Sequence, residues 1–329
     1  MIFVPDFYKK FKCIADKCQD SCCVGWEIDV DAPTLEKFRA IGEDVLSFIE
    51  LDATPPHIRL DGDERCPFLD ARGLCKIISK HGEDFIPEIC KRHPRYFNEI
   101  LDFTECSIGL SCPTAAEIIL SVREKPKTVK INAFSTREVK TAKIEGKIPT
   151  DEENTLQTLL NLRDEMFSLV FDRRYDMPHI LTKLLGYQRA ISDYLFDGSM
   201  SCEIAPLDEE ELYSVIDLVP RAFSHLELLS EDVRSLAVGA DRERLLSLLS
   251  ANADESRALL YYLLHRYMLS GACEFDLNDR LTLCVLLLFI CLIFLDGRSV
   301  VDSAVLFSKN VEYSTENIDI LLRIIAERY

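Results

Sequence analysis

Glycine is scarce, at 12 of 329 residues, and no two glycines stand as G-x-G. That excludes the Gly-rich phosphate loop of a Rossmann-type nucleotide site. Long apolar runs are missing too. The longest, Leu281–Leu295, has 15 residues and is bounded by Arg280, Asp296 and Arg298. A membrane-spanning helix needs about 20 apolar residues, so this run reads as the central buried helix of a helical domain. Positive charge is short: 38 Lys and Arg face 56 Asp and Glu, a net charge of −18. General nucleic-acid binding, which works by neutralising phosphates, is excluded on that balance. The opening MIFVPDFYKKFKC lacks the basic segment, apolar stretch and cleavage site of an export signal. The expectation is a cytoplasmic chain in a reducing compartment, with no membrane segment. No repeat of fixed period occurs.

Cysteine is what the chain has in excess, and it is unevenly spread. Nine of the 13 fall within residues 1–112: Cys13, Cys18, Cys22, Cys23, Cys66, Cys75, Cys90, Cys106 and Cys112. The other four are Cys202, Cys273, Cys284 and Cys291. One buried cysteine is usually a small hydrophobe; nine in about a third of the chain are not explained that way. A disulfide module is the competing reading, but a reducing compartment and an odd total favour metal. Thiolates are soft ligands for zinc, copper(I) or iron–sulfur clusters. The densest part is Cys13-x4-Cys18-x3-Cys22-Cys23, followed by Val24-Gly25-Trp26. Adjacent side chains diverge in extended backbone, so Cys22 and Cys23 suggest two sites, or one ligand beside one supporting thiol. Cys106 stays undecided. His57, His81 and His93 are possible ligands, although a lone histidine is more often an ordinary polar residue. Arg92 and Arg95, after Cys90, suit the negative charge of a thiolate site or a carboxylate.

The fold expected is mainly α: a cysteine-rich, irregular α+β N-terminal module followed by an all-helical domain. The divisions are residues 1–125, a basic linker or edge strand over 126–150, and helices over 151–329. Trp26–Val30, His57–Leu60, Leu74–Ile78 and Thr128–Phe134 read as strands. Asp31 and Pro33 suit a helix start, and Leu35, Phe38, Ile41, Val45, Phe48 and Ile49 recur at helical spacing. Asp70-Ala71-Arg72-Gly73 is a turn signal. Asp208 with Glu211 resembles a capping box, and Ser314 or Thr315 can cap the last helix. The four cysteines of the helical half, Cys202, Cys273, Cys284 and Cys291, read as core filler, the last two on the apolar run.

In order, C-x4-C-x3-C-C-x-G-W, C-P-F-L, G-L-C, C-x-x-x-P-R and L-S-C-P resemble the flagellin lysine-N-methylase (FliB) family. They stand here as Cys13/Cys18/Cys22/Cys23/Trp26, Cys66–Leu69, Gly73–Cys75, Cys90/Pro94/Arg95 and Leu110–Pro113. The cysteine-rich half is also similar to zinc- or iron-chelating cysteine-cluster proteins. The resemblance is specific over about residues 3–120 and weaker beyond, for example around Tyr261–Met268. It implies methyl transfer from S-adenosylmethionine to flagellin lysine ε-amines, with a 4Fe-4S cluster, zinc being the alternative. The implied ligands are Cys13, Cys18, Cys22, Cys23, Cys66, Cys75, Cys90 and Cys112, twice the four that one cluster needs. The C-x3-C-x2-C run of radical enzymes is broken, because Gly25 stands where its third cysteine would be. The residues single out neither a catalytic base nor a donor site. A non-catalytic metal-binding protein is the alternative function, although a metal buffer has no need of a long helical half.

Overall fold

The computed structural model describes residues 2–18, 20–100, 103–131, 152–197, 204–272 and 277–328. The N-terminal part runs β1 (Ile2–Pro5), β2 (Ile28–Asp29), α1 (Ala32–Ile41), α2 (Glu43–Leu46), β3 (Ile49–Glu50), β4 (His57–Ile58), α3 (Lys76–His81) and α4 (Glu88–Arg92). It continues through β5 (Arg95–Ile100), β6 (Phe103–Ile108), α5 (Pro113–Leu120) and β7 (Thr128–Ile131). Helices follow: α6 (Glu152–Val170), α7 (Met177–Asp197), α8 (Glu209–Ile216), α9 (Leu218–His225) and α10 (Glu231–Ser235). Then come α11 (Arg242–Ala251), α12 (Ala253–Leu263), α13 (Leu277–Ile293), α14 (Val300–Phe307) and α15 (Thr315–Ala326). Two π-helical segments, Leu264–Met268 and Ser308–Glu312, continue α12 and α14. The protein is mainly α with a small β component, as expected.

Local chemistry explains most boundaries. The Asp31 carboxylate accepts from the Thr34 N–H at 3.1 Å and caps α1, with Pro33 in its first turn. Asp208 caps α8 through the Glu211 N–H, and Ser314 caps α15 through the Asn317 N–H, each at 3.1 Å. The helical spacing of residues 35–49 is interrupted at Gly42, whose φ of 107° no side-chain-bearing residue adopts readily. It splits the run into α1 and α2, and Ile49 falls in β3. Leu74–Ile78 is not a strand. Asp70 Oδ1 accepts from the N–H groups of Arg72 and Leu74, at 2.8 and 2.9 Å, and turns the chain. Only Cys75 bridges back, to Leu69, before α3 begins.

The larger sheet has the order β5-β6-β1-β7. β1 lies parallel to β6, with Ile2 opposite Thr104, and antiparallel to β7, with Val4 opposite Val129. The stretch read as a linker or edge strand therefore supplies the edge strand β7; residues 132–150 lie outside the described residues. Val4, Ile100, Cys106 and Ile108 from the sheet share one core with α5 and the helices. At its centre is α13, buried continuously from Leu281 to Ile293 and touching α7, α8, α9, α11, α12, α14 and α15. Cys284 and Cys291 are buried there, whereas Cys202 and Cys273 lie outside the described residues. Cys106 is fully buried in this core. A second, smaller cluster holds Ile28, Phe38, Ile49, Ile58, Phe68, Ile77 and Ile86, with Cys23, Cys66, Cys75 and Cys90 in or against it. No described helix is long and apolar enough to cross a membrane.

Candidate functional site

The thiols sit on short elements and turns. Cys13 lies exposed before a 3-10 turn, and Cys18 closes that turn. The Cys66 N–H donates to the Cys23 carbonyl at 2.8 Å, and the Gly25 N–H to the Glu64 carbonyl at 2.9 Å, so residues 23–25 are laid against residues 64–66. Gly25, with φ 84°, makes the turn that leads into Trp26. Cys75 and Cys112 cap α3 and α5, and Cys90 lies on α4.

The eight candidate thiols form one electrostatically connected set. Cys22 acts on Cys18, Cys66, Cys90 and Cys112; Cys75 acts on Cys66 and Cys90; Cys13 acts on Cys18. Cys23 engages its neighbour Cys22 directly. Burial first, then this crowding, pushes the Cys66 and Cys112 thiols up to about 11, and Cys90 upward for the same reasons. Cys22 is pushed up by Cys23 and by burial. Among the described residues, no three His, Cys, Asp or Glu side chains close on a single metal position. The thiols suit zinc or a cluster in ligand type, but among the described residues they do not converge on one metal position.

The other named residues are placed differently. Arg92 pairs with Glu88 at 3.1 Å and covers the Phe97 ring, while Arg95 donates to the Tyr8 hydroxyl at 2.8 Å and covers Phe11. His57 faces Glu27 at 3.8 Å, and His81 lies on the Phe85 ring. His93 lies in an aromatic group with Trp26 and Tyr313. Its ring meets Trp26 edge-on at 5.2 Å and Tyr313 at 6.4 Å, while Trp26 and Tyr313 are 4.4 Å apart. The indole N–H donates to the Cys22 carbonyl at 2.7 Å, and Ser111, beside Cys112, donates to the Tyr313 hydroxyl at 2.8 Å. Burial, then the Lys309 charge, lowers the pKa of His93 to about 4 and keeps it neutral at neutral pH. Lys309 is tied to Asp20 at 2.7 Å. The segment 309–313 thereby braces the thiol loop from the far end of the sequence.

Sequence reasoning missed a buried polar network beneath this brace. Glu105 on β6 receives both guanidinium arms of Arg163 on α6, at 2.7 and 2.6 Å. Asn98 donates to Glu105 at 2.9 Å and to the His265 carbonyl at 2.8 Å, and His265 Nδ1 meets the Tyr96 hydroxyl at 3.0 Å. Next to it, the buried Glu312 carboxylate accepts from Tyr262 at 3.1 Å and Tyr267 at 2.9 Å, with Arg266 at 3.5 Å. Arg266 stacks over Tyr96, Tyr262 and Tyr267. His265, Arg266 and Glu312 all lie on the π segments, a distortion frequent at functional sites. The available sequence signal was His265-Arg266 interrupting the otherwise apolar Ala258–Leu269.

An open pocket of about 550 Å³ is lined by Arg123, Glu124, Lys125, Ser168, Phe171 and Arg173, and by none of the candidate thiols. Its cations are already matched: Arg123 with Glu255, Lys125 with Asp164, and Arg173 with Asp254.

The fold and site define a class: a thiol-rich N-terminal module braced against a helical core. No family model and no solved structure matches the chain. Among curated proteins it is 28% identical to the lysine-N-methylase of Salmonella typhimurium over 127 residues, covering 36% of this chain and 32% of that protein. The lysine-N-methylase of Salmonella choleraesuis matches to the same extent. The flagellar biosynthetic protein FliU of Salmonella muenchen is 30% identical over 129 residues, covering 36% of this chain and 75% of FliU. The chain belongs to the family of FliU. It spans about a third of the length of the lysine-N-methylases it matches.

Proposed function

We propose that the protein is a lysine N-methyltransferase that methylates flagellin lysine ε-amines with S-adenosylmethionine and depends on a cysteine-ligated iron–sulfur cluster. The carrying observation is kinship with lysine-N-methylases and FliU, in a chain that carries eight motif cysteines within residues 13–112. Cys13, Cys18, Cys22, Cys23, Cys66, Cys75, Cys90 and Cys112 are the thiols from which four ligands would come. A bound cluster would supply an electron-transfer or Lewis-acid centre.

The chain's own residues have two tasks. The lysine ammonium must first lose a proton, which desolvation beside a partly buried surface favours. The neutral amine must then lie in line with the methyl–sulfur bond. A carbon–nitrogen bond forms as the carbon–sulfur bond breaks; its electron pair stays on sulfur, and a second proton leaves the methylated nitrogen.

Anaerobic purification followed by absorption and metal analysis separates cluster from zinc. Incubation with labelled S-adenosylmethionine and flagellin then tests the reaction. Label on flagellin lysines is expected; a metal-replete sample that binds no donor and labels nothing overturns it. The surplus of thiols over one cluster's need favours one second reading, a non-catalytic zinc- or iron-chelating protein, and that outcome would support it.

A further inference from the structure

We propose that the ring corner formed by Trp26, His93 and Tyr313 binds a small onium cation, either a sulfonium or a methylated ammonium. The proposal deepens the methyltransferase reading and rests on it for which cation arrives. Its grounds are geometric. Three rings from distant parts of the chain meet, with Trp26 and His93 near perpendicular at 81° and Trp26 and Tyr313 at 51°. Perpendicular aromatic walls are the arrangement that attracts a diffuse positive charge through the ring quadrupoles.

The polar ends of the corner are already engaged. The Trp26 N–H is spent on the Cys22 carbonyl, and the Tyr313 hydroxyl takes a hydrogen bond from Ser111 and meets His93 Nδ1 at 3.3 Å. What these rings retain to offer a ligand is π surface, and Tyr313 is still 39% exposed. Lys309, whose charge reaches His93, is paired with Asp20. Elsewhere the protein fills such surfaces itself: Arg266 covers Tyr96, Tyr262 and Tyr267, Arg163 covers Phe167, and Arg95 covers Tyr8 and Phe11. Among the described residues, no lysine or arginine covers the Trp26–His93–Tyr313 corner. Tyr313 also lies within electrostatic reach of Cys22, so a cation held here stands beside the thiol set.

Trp26 is the chain's single tryptophan, so its emission reports on the corner directly. The full chain is titrated with trimethylsulfonium chloride and with the neutral tert-butanol. A saturable emission change with the cation alone is expected. Tyr313→Ala should weaken it about 2- to 30-fold, the span of a cation–π contact, while Tyr313→Phe, which keeps the ring, restores it. Circular dichroism checks that both variants fold. Calorimetry with S-adenosylmethionine against S-adenosylhomocysteine, and with trimethyllysine against lysine, identifies the source of the cation. If S-adenosylmethionine binds without changing Trp26 emission and Tyr313→Ala is indifferent, the corner is overturned and the methyltransferase reading survives. If trimethylsulfonium and trimethyllysine bind there but no donor binds and no methyl is transferred, that reading falls and the corner stands. Equal responses to the cation and tert-butanol make the rings mere packing and overturn the proposal.

Discussion

Glu105 shows how much a single side chain can hold in place. Burial alone would raise its pKa, but Arg163, His265 and Asn98 outweigh that and bring it from 4.5 down to about 2. His265 moves from 6.5 to about 4 because burial disfavours its charge more than Glu105 favours it. Both depressions act with the same sign. A neutral buried His265 contributes stability above pH 6.5 that is lost as pH falls toward 4; ionised Glu105 contributes stability above 4.5 that is lost toward 2. Denaturant titrations should therefore show stability falling on acidification across these two consecutive windows. In Glu105→Gln the lower window should shrink, Asp31 and Asp172 still contributing to it, and stability at neutral pH should drop by about 3–5 kcal/mol, because Arg163 is left buried without its counter-charge. At the thiols, Cys22→Ser and Cys90→Ser should lower the metal content of anaerobically purified protein, whereas Cys291→Ala should leave it unchanged. Identities at this scale were readable where spacing carried them. Cys284 and Cys291 were placed as core by the apolar run around them. Cys106 was undecided because one buried strand position looks like any other cysteine until the sheet is known.

At the scale of elements, α1, α8, α13 and α15 were legible, because a cap or a continuous apolar run is local information. The Leu74–Ile78 expectation failed for a physical reason: Cys75 is the sole bridge residue, and Asp70 commits the preceding backbone to a turn. The π segments were invisible, since their register shift is set by tertiary partners such as Glu312 and Tyr262. Close approach is equally non-local. Helix α7 runs so near residue 205 that a Cβ on Gly186 would stand 2.2 Å from the Ala205 carbonyl oxygen. Alanine gains about 1 kcal/mol over glycine in a helix, but here backbone must move to admit it. Gly186→Ala is expected to lower stability by about 1–3 kcal/mol, visible as a reduced thermal midpoint.

Across the whole molecule, burial is unequal. The sheet and helices share one large core, while residues 28–90 rest on a small cluster of their own. A core that small gains from a structural metal or another staple. If the thiols supply one, a chelator should move Trp26 emission toward that of exposed indole at denaturant concentrations that leave helical circular dichroism intact. Coincident transitions in the chelated protein would show that the module needs no such support. Composition alone suggested a cysteine-rich part and a helical part. It did not indicate that β1 and β6 from the first part would belong to the core of the second, because strand pairing across a hundred residues leaves no local trace.

The order in which the chain is made has its own consequence. β1 cannot pair until β6 and β7 have emerged, a wait of roughly ten seconds at ordinary ribosomal speeds of about 5–20 residues per second. The loop bearing Cys18, Cys22 and Cys23 waits longer, because its brace Lys309 stands 289 residues beyond Asp20, and Tyr313 follows it. Until those braces are in place, the turns that carry the thiols rest on the small cluster around Phe38 and Phe68 alone.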